Sequence, residues 1–330
     1  MTKLALNSPP ERRYEMAVMV WHTVAIPVAL AAFFLCCAFP PFWPFILYYL
    51  VFMWLDPRPE RGTVLTPFQR WTRQAWWWKS FASYFPVRLH KTADLKPCFE
   101  INPRNDAGQT VKNVLKWWYK ILVWWYFVIT FRSYRLAPKA TGQRYIFGYH
   151  PHGIIGMGAV GGIATEGAGW SKLFPGIPVR LLTLRSNFFL PFYREYLLSI
   201  GACSVSRSSC MQLLRNNNPI CIVLGGARES LLAKPGKMDL ILNNRFGFVK
   251  IALRTGASMV PVLAYGETNI YQQLNPDNSD GPLQKYHKFM TKYMGFTIPL
   301  FHARGVFNYN KGILPYRNPI DIVVGDAVDR

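Results

Sequence analysis

The sequence is poor in carboxylates and lacks paired cysteines, and each shortage excludes a class of protein. Its 330 residues contain 17 Asp and Glu against 38 Lys and Arg, a formal net charge of +21. The six cysteines form no CxxC pair and have no histidine at ligand spacing, so neither a disulfide scaffold nor a metal site is predicted. The 24 glycines and 25 prolines show no period, which excludes a collagen-like chain.

Charge is missing altogether between Met16 and Leu55. The prolines Pro40 and Pro41 divide this stretch into Met16–Phe39 and Phe42–Leu55. At a helical rise of 1.5 Å the two pieces measure roughly 36 Å and 21 Å, against a bilayer core of about 30 Å. Basic residues flank both ends, so the positive-inside rule predicts a transmembrane helical hairpin with both ends in the cytosol. A signal peptide is disfavoured because the apolar run is too long.

Aromatic residues continue the membrane signal. Eleven of the twelve tryptophans precede residue 126. In 111–131, Lys112, Lys116 and Lys120 share one helical face and aromatic residues fill the rest, which predicts an interfacial helix; a third membrane span or a core helix are the alternatives. The sequence therefore divides into residues 1–65, a tail and hairpin, residues 66–135, an interfacial aromatic segment, and residues 136–330, an α/β domain.

Short β-rich runs alternate with helical segments after Arg135, which predicts a mostly parallel sheet flanked by helices. The strands are expected at Arg144–Tyr149, Val179–Leu184, Ile220–Leu224, Met259–Tyr265 and Ile320–Val324. The helices are expected at Pro191–Ile200, Ser208–Arg215 and Gly247–Arg254. The polar stretch Asn269–Gln284 is expected to form a surface loop.

Two of the six histidines, His150 and His152, follow a predicted strand in the motif HPHG. The carboxyl end of a strand is where α/β folds usually place a site, and imidazole suits proton abstraction near neutral pH. Gly153 would let the backbone approach a ligand closely. The alternative is a pair of structural turn histidines. The following Gly156, Gly158 and Gly161 match GxGxxG, but no acidic residue follows at nucleotide-binding spacing, so close packing is the expected use of these glycines.

Glu229 is an unusual charge at the end of another predicted strand, in the run LGGARES. It could orient a histidine or stabilise its cation, or it could be a structural carboxylate at a helix N-terminus. Basic residues lie on both sides of it in the sequence, and Arg228, Arg245 and Lys250 are candidates for contacts with substrate phosphates.

In several ordered motifs the sequence resembles the diacylglycerol acyltransferase type 2 family, which also includes monoacylglycerol and wax-alcohol acyltransferases. The matching segments are Tyr84-Phe85-Pro86, Tyr149–Gly153, Arg185–Phe189, Ser204–Arg207, Gly225–Ser230, Gly247–Ala252, Val260-Pro261-Val262 and Arg304-Gly305. The resemblance implies a glycerophosphate-acyltransferase-like fold. It also implies transfer of an acyl group from acyl-CoA to diacylglycerol at the endoplasmic reticulum membrane, or at lipid droplets, with cytosolic termini and no cofactor. The residues Tyr84, Phe85, Pro86, Gly153, Arg185, Asn187 and Arg207 become candidate substrate contacts.

The sequence departs from related patterns at two places. Glycerophosphate acyltransferases carry an acid five positions after a histidine, whereas Ile155 and Met157 stand there, so Glu229 is the candidate acid. Family members continue through a further helical segment, whereas this sequence ends at Arg330.

The expected mechanism has His150 or His152 deprotonate the acceptor hydroxyl, with Glu229 in support. Monoacylglycerol or a long-chain alcohol are alternative acceptors. A serine hydrolase is disfavoured because no GxSxG motif occurs. A non-catalytic lipid-binding protein would leave HPHG unexplained, nucleic acid is not an expected partner, and a homo-oligomer remains open.

Overall fold

A computed structural model gives the fold of residues 9–62, 64–101, 138–243, 245–273, 285–286, 289, 300–306 and 311–329. The interfacial helix predicted within 111–131 and most of the polar stretch after Asn269 lie outside these residues.

Two apolar helices begin the described chain, as predicted. Helix α1 spans Pro10–Cys37, a short 3-10 turn spans Pro40–Phe42, and helix α2 spans Trp43–Leu55. Phe192 packs against Phe33 of α1 and Tyr49 of α2, so α2 folds back beside α1. Among the described residues, α1 is the one helix long and apolar enough to cross a membrane.

Helix α1 is packed against the α/β domain near its start and is largely exposed toward its end. Met19 is fully buried in the main core, and the His22 ring nitrogen Nδ1 lies 2.6 Å from the Tyr196 hydroxyl. Further along, Phe34 and Leu35 are about two-thirds exposed, at 65% and 64%. The first helix therefore begins as a packed element and ends as an apolar projection.

The remaining elements follow in a mostly alternating order. The helices are α3 Pro67–Arg73, α4 Trp76–Tyr84, α5 Trp170–Leu173, α6 Tyr193–Ser199, α7 Arg207–Arg215, α8 Gly226–Ser230 and α9 Gly247–Thr255. A π-helix spans Ala159–Ala164, and 3-10 turns span Arg185–Phe189 and Glu267–Asn269. The strands are β1 Val87–Lys91, β2 Tyr145–His150, β3 Arg180–Thr183, β4 Cys203–Ser204, β5 Ile220–Val223, β6 Ser258–Tyr265, β7 Gln272–Gln273, β8 Phe301–His302 and β9 Ile320–Val324.

Seven of these strands form one sheet in the order β1-β9-β6-β2-β5-β3-β4. All neighbours pair in parallel except β6 and β9. The predicted class, a mostly parallel sheet flanked by helices, is confirmed. The five predicted strands and three predicted helices all form, with ends shifted by at most two residues.

Strand β2 occupies the centre of the sheet and every one of its residues is buried. Tyr145, Phe147 and Tyr149 enter the core shared with α1 and α4, while Ile146 enters the second core beneath α7 and α9. Burial on both faces is typical of a central parallel strand, and it fixes the direction in which the chain leaves the sheet at His150.

Strand β1 was not predicted. It lies at the sheet edge and pairs in parallel with β9, with Val87 opposite Ile320. Helix α4 before it contributes Trp78 and Phe81 to the main core. The sheet therefore draws on both sides of the boundary predicted at residue 135.

Candidate active site

Three neighbouring strands deliver the site residues to one edge of the sheet. Strand β2 lies between β5 and β6 and runs parallel to both. The HPHG motif begins at the last residue of β2, Glu229 follows β5, and Glu267 follows β6. Because parallel strands end at the same edge, residues far apart in the sequence meet there.

His150 is buried, with 5% of its surface exposed, and its Nδ1 has no hydrogen-bond partner among the described residues. Burial lowers the pKa of its imidazole, and the nearby Glu229 carboxylate opposes this. A buried ring with a lowered pKa stays neutral at pH 7.

His152 is partly exposed, and its orientation is set by its own turn. Its Nδ1 lies 3.1 Å from the carbonyl oxygen of Gly153. Since a carbonyl can only accept, Nδ1 carries the proton and Nε2 holds the free lone pair. Burial lowers the pKa of His152, while the Gly153 carbonyl and Glu229 oppose that shift. His152 is thus a neutral imidazole with Nε2 able to accept a proton.

Glu229 binds backbone rather than a histidine ring. Its Oε1 accepts a 2.5 Å hydrogen bond from the backbone N–H of His152, and its Oε2 accepts a 3.0 Å bond from that of Ile241. Glu229 is buried, with 1% of its surface exposed. The sequence left open whether Glu229 acts on a histidine or is a structural carboxylate, and the structure combines the two. Its hydrogen bonds connect the histidine turn to the 231–243 loop, and its charge acts on the histidine rings.

A second buried carboxylate, Glu267, was missed by the sequence reasoning. It is 1% exposed, and its Oε2 accepts hydrogen bonds from the Tyr149 hydroxyl at 2.8 Å and the Gly158 N–H at 2.9 Å. Burial raises the pKa of Glu267 to about 7, and the bonds from Tyr149 and Gly158 together with the nearby Met157 N–H oppose that shift. The signal in the sequence was an acid two positions after the predicted strand Met259–Tyr265.

Close packing requires Gly158 and Gly161, as predicted for the GxGxxG glycines, and Gly153, for which a ligand contact was predicted, also lies against a protein side chain. Gly153 has a φ of +59°, and a Cβ there would lie 2.8 Å from Glu267 Cγ. A Cβ on Gly158 would collide with both Glu267 Oε2 and the Tyr149 hydroxyl. A Cβ on Gly161 would lie 3.0 Å from the Phe81 ring.

The predicted substrate contacts are dispersed. Tyr84 and Phe85 are fully buried, and the Tyr84 hydroxyl donates to the Pro315 carbonyl at 2.7 Å; Pro86 follows directly after them. Their burial favours a structural role. Arg228 lies within helix α8, and Lys250 is exposed on α9.

Arg245, Arg185 and Asn187 lie at or near the carboxyl edge, and a fourth candidate, Arg207, lines a separate groove. Arg245 Nη2 donates to the Gly225 carbonyl at 3.1 Å, beside Glu229. Arg185 Nε lies 2.7 Å from Glu60 Oε1, and Asn187 donates to the Thr183 hydroxyl at 2.8 Å. Arg207 lines a groove of about 750 Å³ together with Arg215 and Arg254.

A separate apolar cavity of about 370 Å³ lies at the base of α1, lined by Trp21, Trp76, Trp77, Trp78, Tyr14 and Tyr196 among others. Neither this cavity nor the arginine groove is lined by His150 or His152. No group of three His, Cys, Asp or Glu residues that could hold a metal occurs in the described part of the chain.

These features define a class of α/β protein with a neutral histidine pair and buried carboxylates at the carboxyl edge of the sheet, and with an apolar N-terminal hairpin. The diacylglycerol acyltransferase family model matches residues 35–102 and 98–329. The chain therefore belongs to the diacylglycerol acyltransferase family, which confirms the resemblance seen in the motifs.

Three relatives with similar sequences agree with this assignment. A diacylglycerol O-acyltransferase 1 from Eremothecium gossypii is 42% identical over 98% of this chain and 70% of its own length. The protein of the same description from Saccharomyces cerevisiae is 41% identical, over 98% and 77%. A 2-acylglycerol O-acyltransferase 1 from Bos taurus is 38% identical, over 87% and 72%. The solved structure of a 1-acyl-sn-glycerophosphate acyltransferase from Thermotoga maritima aligns over 93% of this chain and 88% of its own, with a TM-score of 0.32 and 9% identity.

Proposed function

We propose that the chain transfers a fatty acyl group from acyl-CoA to the free hydroxyl of diacylglycerol, which forms triacylglycerol and releases CoA. Family membership supports the reaction class, and the diacylglycerol O-acyltransferases among the relatives support the acceptor. The observation that carries the mechanism is the His152 ring, whose Nδ1 is committed to the Gly153 carbonyl. Its Nε2 is therefore the basic atom at the edge of the sheet.

The chemistry follows from this arrangement. Nε2 of His152 accepts the proton of the acceptor hydroxyl as its oxygen attacks the thioester carbonyl. A C–O bond forms, the C–S bond breaks, and the proton on His152 passes to the departing CoA thiolate. Glu229 makes no hydrogen bond to either histidine ring, but its negative charge is close to both. This charge stabilises the imidazolium that forms between these steps.

Backbone N–H groups of the Gly153 turn are candidates to stabilise the oxyanion on the thioester carbon. Arg245 beside Gly225 and Arg185 beyond β3 are candidates to contact the phosphates of CoA. Arg207 is a further candidate within the arginine groove. Tyr84, Phe85 and Pro86 support the fold in this proposal and do not contact substrate.

The same edge of the sheet is suited to receive an acceptor from a bilayer. Exposed apolar side chains follow β3 and occupy the 231–243 loop after Glu229: Leu184, Phe189, Phe192, Leu232, Leu240 and Leu242. Phe192 also contacts both helices of the hairpin. Phe192 thus joins the apolar projection to the exposed apolar residues that follow β3, which supports a site that faces a bilayer. Together with the basic flanks of the hairpin, this supports our proposal of an endoplasmic reticulum membrane enzyme whose site lies on the cytosolic side.

The direct test is purified protein in lipid micelles with radiolabelled acyl-CoA and diacylglycerol, with products separated by thin-layer chromatography. We expect triacylglycerol from the wild type and none above background from His152→Ala. Thioester hydrolysis without added acceptor, and no triacylglycerol, would contradict the proposal.

Monoacylglycerol is the second candidate acceptor, because the bovine 2-acylglycerol O-acyltransferase 1 is 38% identical to this chain. The same assay with 2-monoacylglycerol, diacylglycerol and a long-chain alcohol at equal concentrations ranks the acceptors. A higher kcat/KM for monoacylglycerol than for diacylglycerol would reverse the order proposed here.

A further inference from the structure

Glu267 is a buried carboxylate that the acyl-transfer mechanism does not use directly. It enters from β6 through Gly266, whose φ of +90° turns the chain under the HPHG motif. Its Oε2 accepts two hydrogen bonds, while its Oε1 is buried and has no hydrogen-bond partner among the described residues. Burying a carboxylate without a cation is costly, so such a group is seldom kept for stability alone.

Glu267 contacts the chain on both sides of the histidine pair. Tyr149, which donates to it, directly precedes His150, and Gly153, which lies against it, directly follows His152. Gly158, at the start of the helical turn that follows, donates to the same oxygen as Tyr149. The Gly153 carbonyl in turn holds the Nδ1 proton of His152. One side chain therefore touches both ends of the segment that orients the proposed base.

We propose that Glu267 is a positioning residue which, as a carboxylate, holds Tyr149 and Gly158 together beneath the turn and so keeps Nε2 of His152 in the orientation needed for acyl transfer. This inference rests on the proposed function, because it concerns the same site. Glu267 holds the turn from the β6 side, through Tyr149 and Gly158. Glu229 holds it from the β5 side, through the His152 N–H.

The protonation state of Glu267 provides a specific readout. Its pKa is raised to about 7 by burial, whereas burial lowers the pKa values of His150 and His152. The titratable groups that face it among the described residues are Tyr149 from β2 and Tyr271 after β6. Burial raises the pKa of both hydroxyls, so neither carries charge near neutrality. Activity should therefore decline as the pH falls through about 7, because Glu267 becomes protonated there. We call this decline the acidic limb, and it should reflect Glu267 and not a histidine.

Two substitutions should change the acidic limb in different ways. In Glu267→Gln the charge-assisted hydrogen bonds from Tyr149 and Gly158 become weaker neutral ones, and the group no longer titrates, as if it were permanently protonated. In Tyr149→Phe the carboxylate loses a hydrogen bond that lowers its pKa, so the pKa rises further. We expect the limb near pH 7 to disappear in the first variant and to move to higher pH in the second.

The experiment measures kcat and KM for acyl-CoA across about pH 5.5 to 8.5, with the purified 330-residue chain in lipid micelles. At the alkaline end we expect kcat of Glu267→Gln to fall about tenfold with KM within about twofold, as for a misoriented catalytic group. Glu166→Gln is the matched control, since Glu166 accepts its hydrogen bonds from Ser171 away from the site. Thermal unfolding of each variant shows whether it is folded.

The outcomes separate this inference from the proposed function. A wild type that forms no acylated product with any acceptor overturns the function. An active wild type whose acidic limb is unchanged in both variants overturns the role of Glu267 alone, as does a Glu267→Gln variant with the full kcat of the control. If Glu267→Gln fails to fold, the upward shift in Tyr149→Phe still decides the matter.

Discussion

The two histidines of the HPHG motif differ in what their ring nitrogens can do. The sequence could not rank them, but the structure commits Nδ1 of His152 to a carbonyl and leaves Nδ1 of His150 without a described partner. We expect His152→Ala to lower kcat by about 10² to 10⁴, the usual contribution of a general base. His150→Ala should retain more of the activity and lower the thermal midpoint, because it opens a cavity in a buried position. Equal kcat losses in both variants would contradict the ranking.

At Gly153, backbone freedom and lack of a side chain are both required. In Gly153→Ala the new Cβ would lie 2.8 Å from Glu267 Cγ in a backbone conformation that L-residues avoid. Gly142 is a matched control, since its φ is +93° and nothing lies within 4 Å of a Cβ there. We expect Gly142→Ala to cost about 1 to 2 kcal/mol of unfolding free energy with activity retained. Gly153→Ala should cost more and lose activity, and denaturant unfolding with an initial-rate assay tests both.

At the scale of elements, the sequence predicts what local pattern determines. The central strands were predicted because burial on both faces makes them continuously apolar, as in Tyr145–Tyr149. Strand β1, with sequence VRLHK, was missed because an edge strand is only partly covered and keeps charged residues. Glu267 was missed for a different reason. Its contact with Tyr149 depends on β6 lying beside β2, and the order of strands in a sheet cannot be predicted from a local sequence pattern.

The 231–243 loop offers an element-scale prediction about the bilayer. Leu240 and Leu242 are each more than a third exposed, and the loop is held at the site by the Ile241 N–H bond to Glu229. If these leucines enter the bilayer, the double variant Leu240→Glu, Leu242→Glu loses at least about 1.4 kcal/mol of membrane affinity. We expect about a tenfold lower rate on diacylglycerol in vesicles, but an unchanged rate on a short-chain diacylglycerol in solution.

Leu253→Glu is the control for that experiment. Leu253 is 60% exposed on helix α9, which packs on the sheet and not at its carboxyl edge. Equal losses in vesicles for the control and for the loop variant would show that the loop has no special contact with the bilayer.

At the scale of the whole molecule, one buried ion pair fixes the hairpin to the α/β domain. Asp56 follows the last residue of α2, and its Oδ2 lies 2.6 Å from Nη2 of Arg194 on α6, with both side chains fully buried. Asp56 Oδ2 also accepts from Arg58 Nε at 2.8 Å, and Arg194 Nη1 donates to Glu195 at 3.0 Å. The direction in which the hairpin leaves the domain, and hence the angle of the site edge to a bilayer, depends on this junction.

Asp56→Asn leaves the Arg194 guanidinium buried without its main counter-charge, while Glu195, which is partly exposed, compensates only in part. Breaking a buried pair at one partner typically costs 3 to 5 kcal/mol, so we expect a loss of about 3 kcal/mol of unfolding free energy. Glu195→Gln should cost well under about 1 kcal/mol, as expected for a partly exposed pair. Because the hairpin would lose its charged contact with α6 and keep contacts such as those of His22 and Phe192, Asp56→Asn should also lower activity on vesicle-borne diacylglycerol more than on the short-chain substrate. Equal losses on both substrates would mean that the ion pair stabilises the fold without orienting the site toward the membrane.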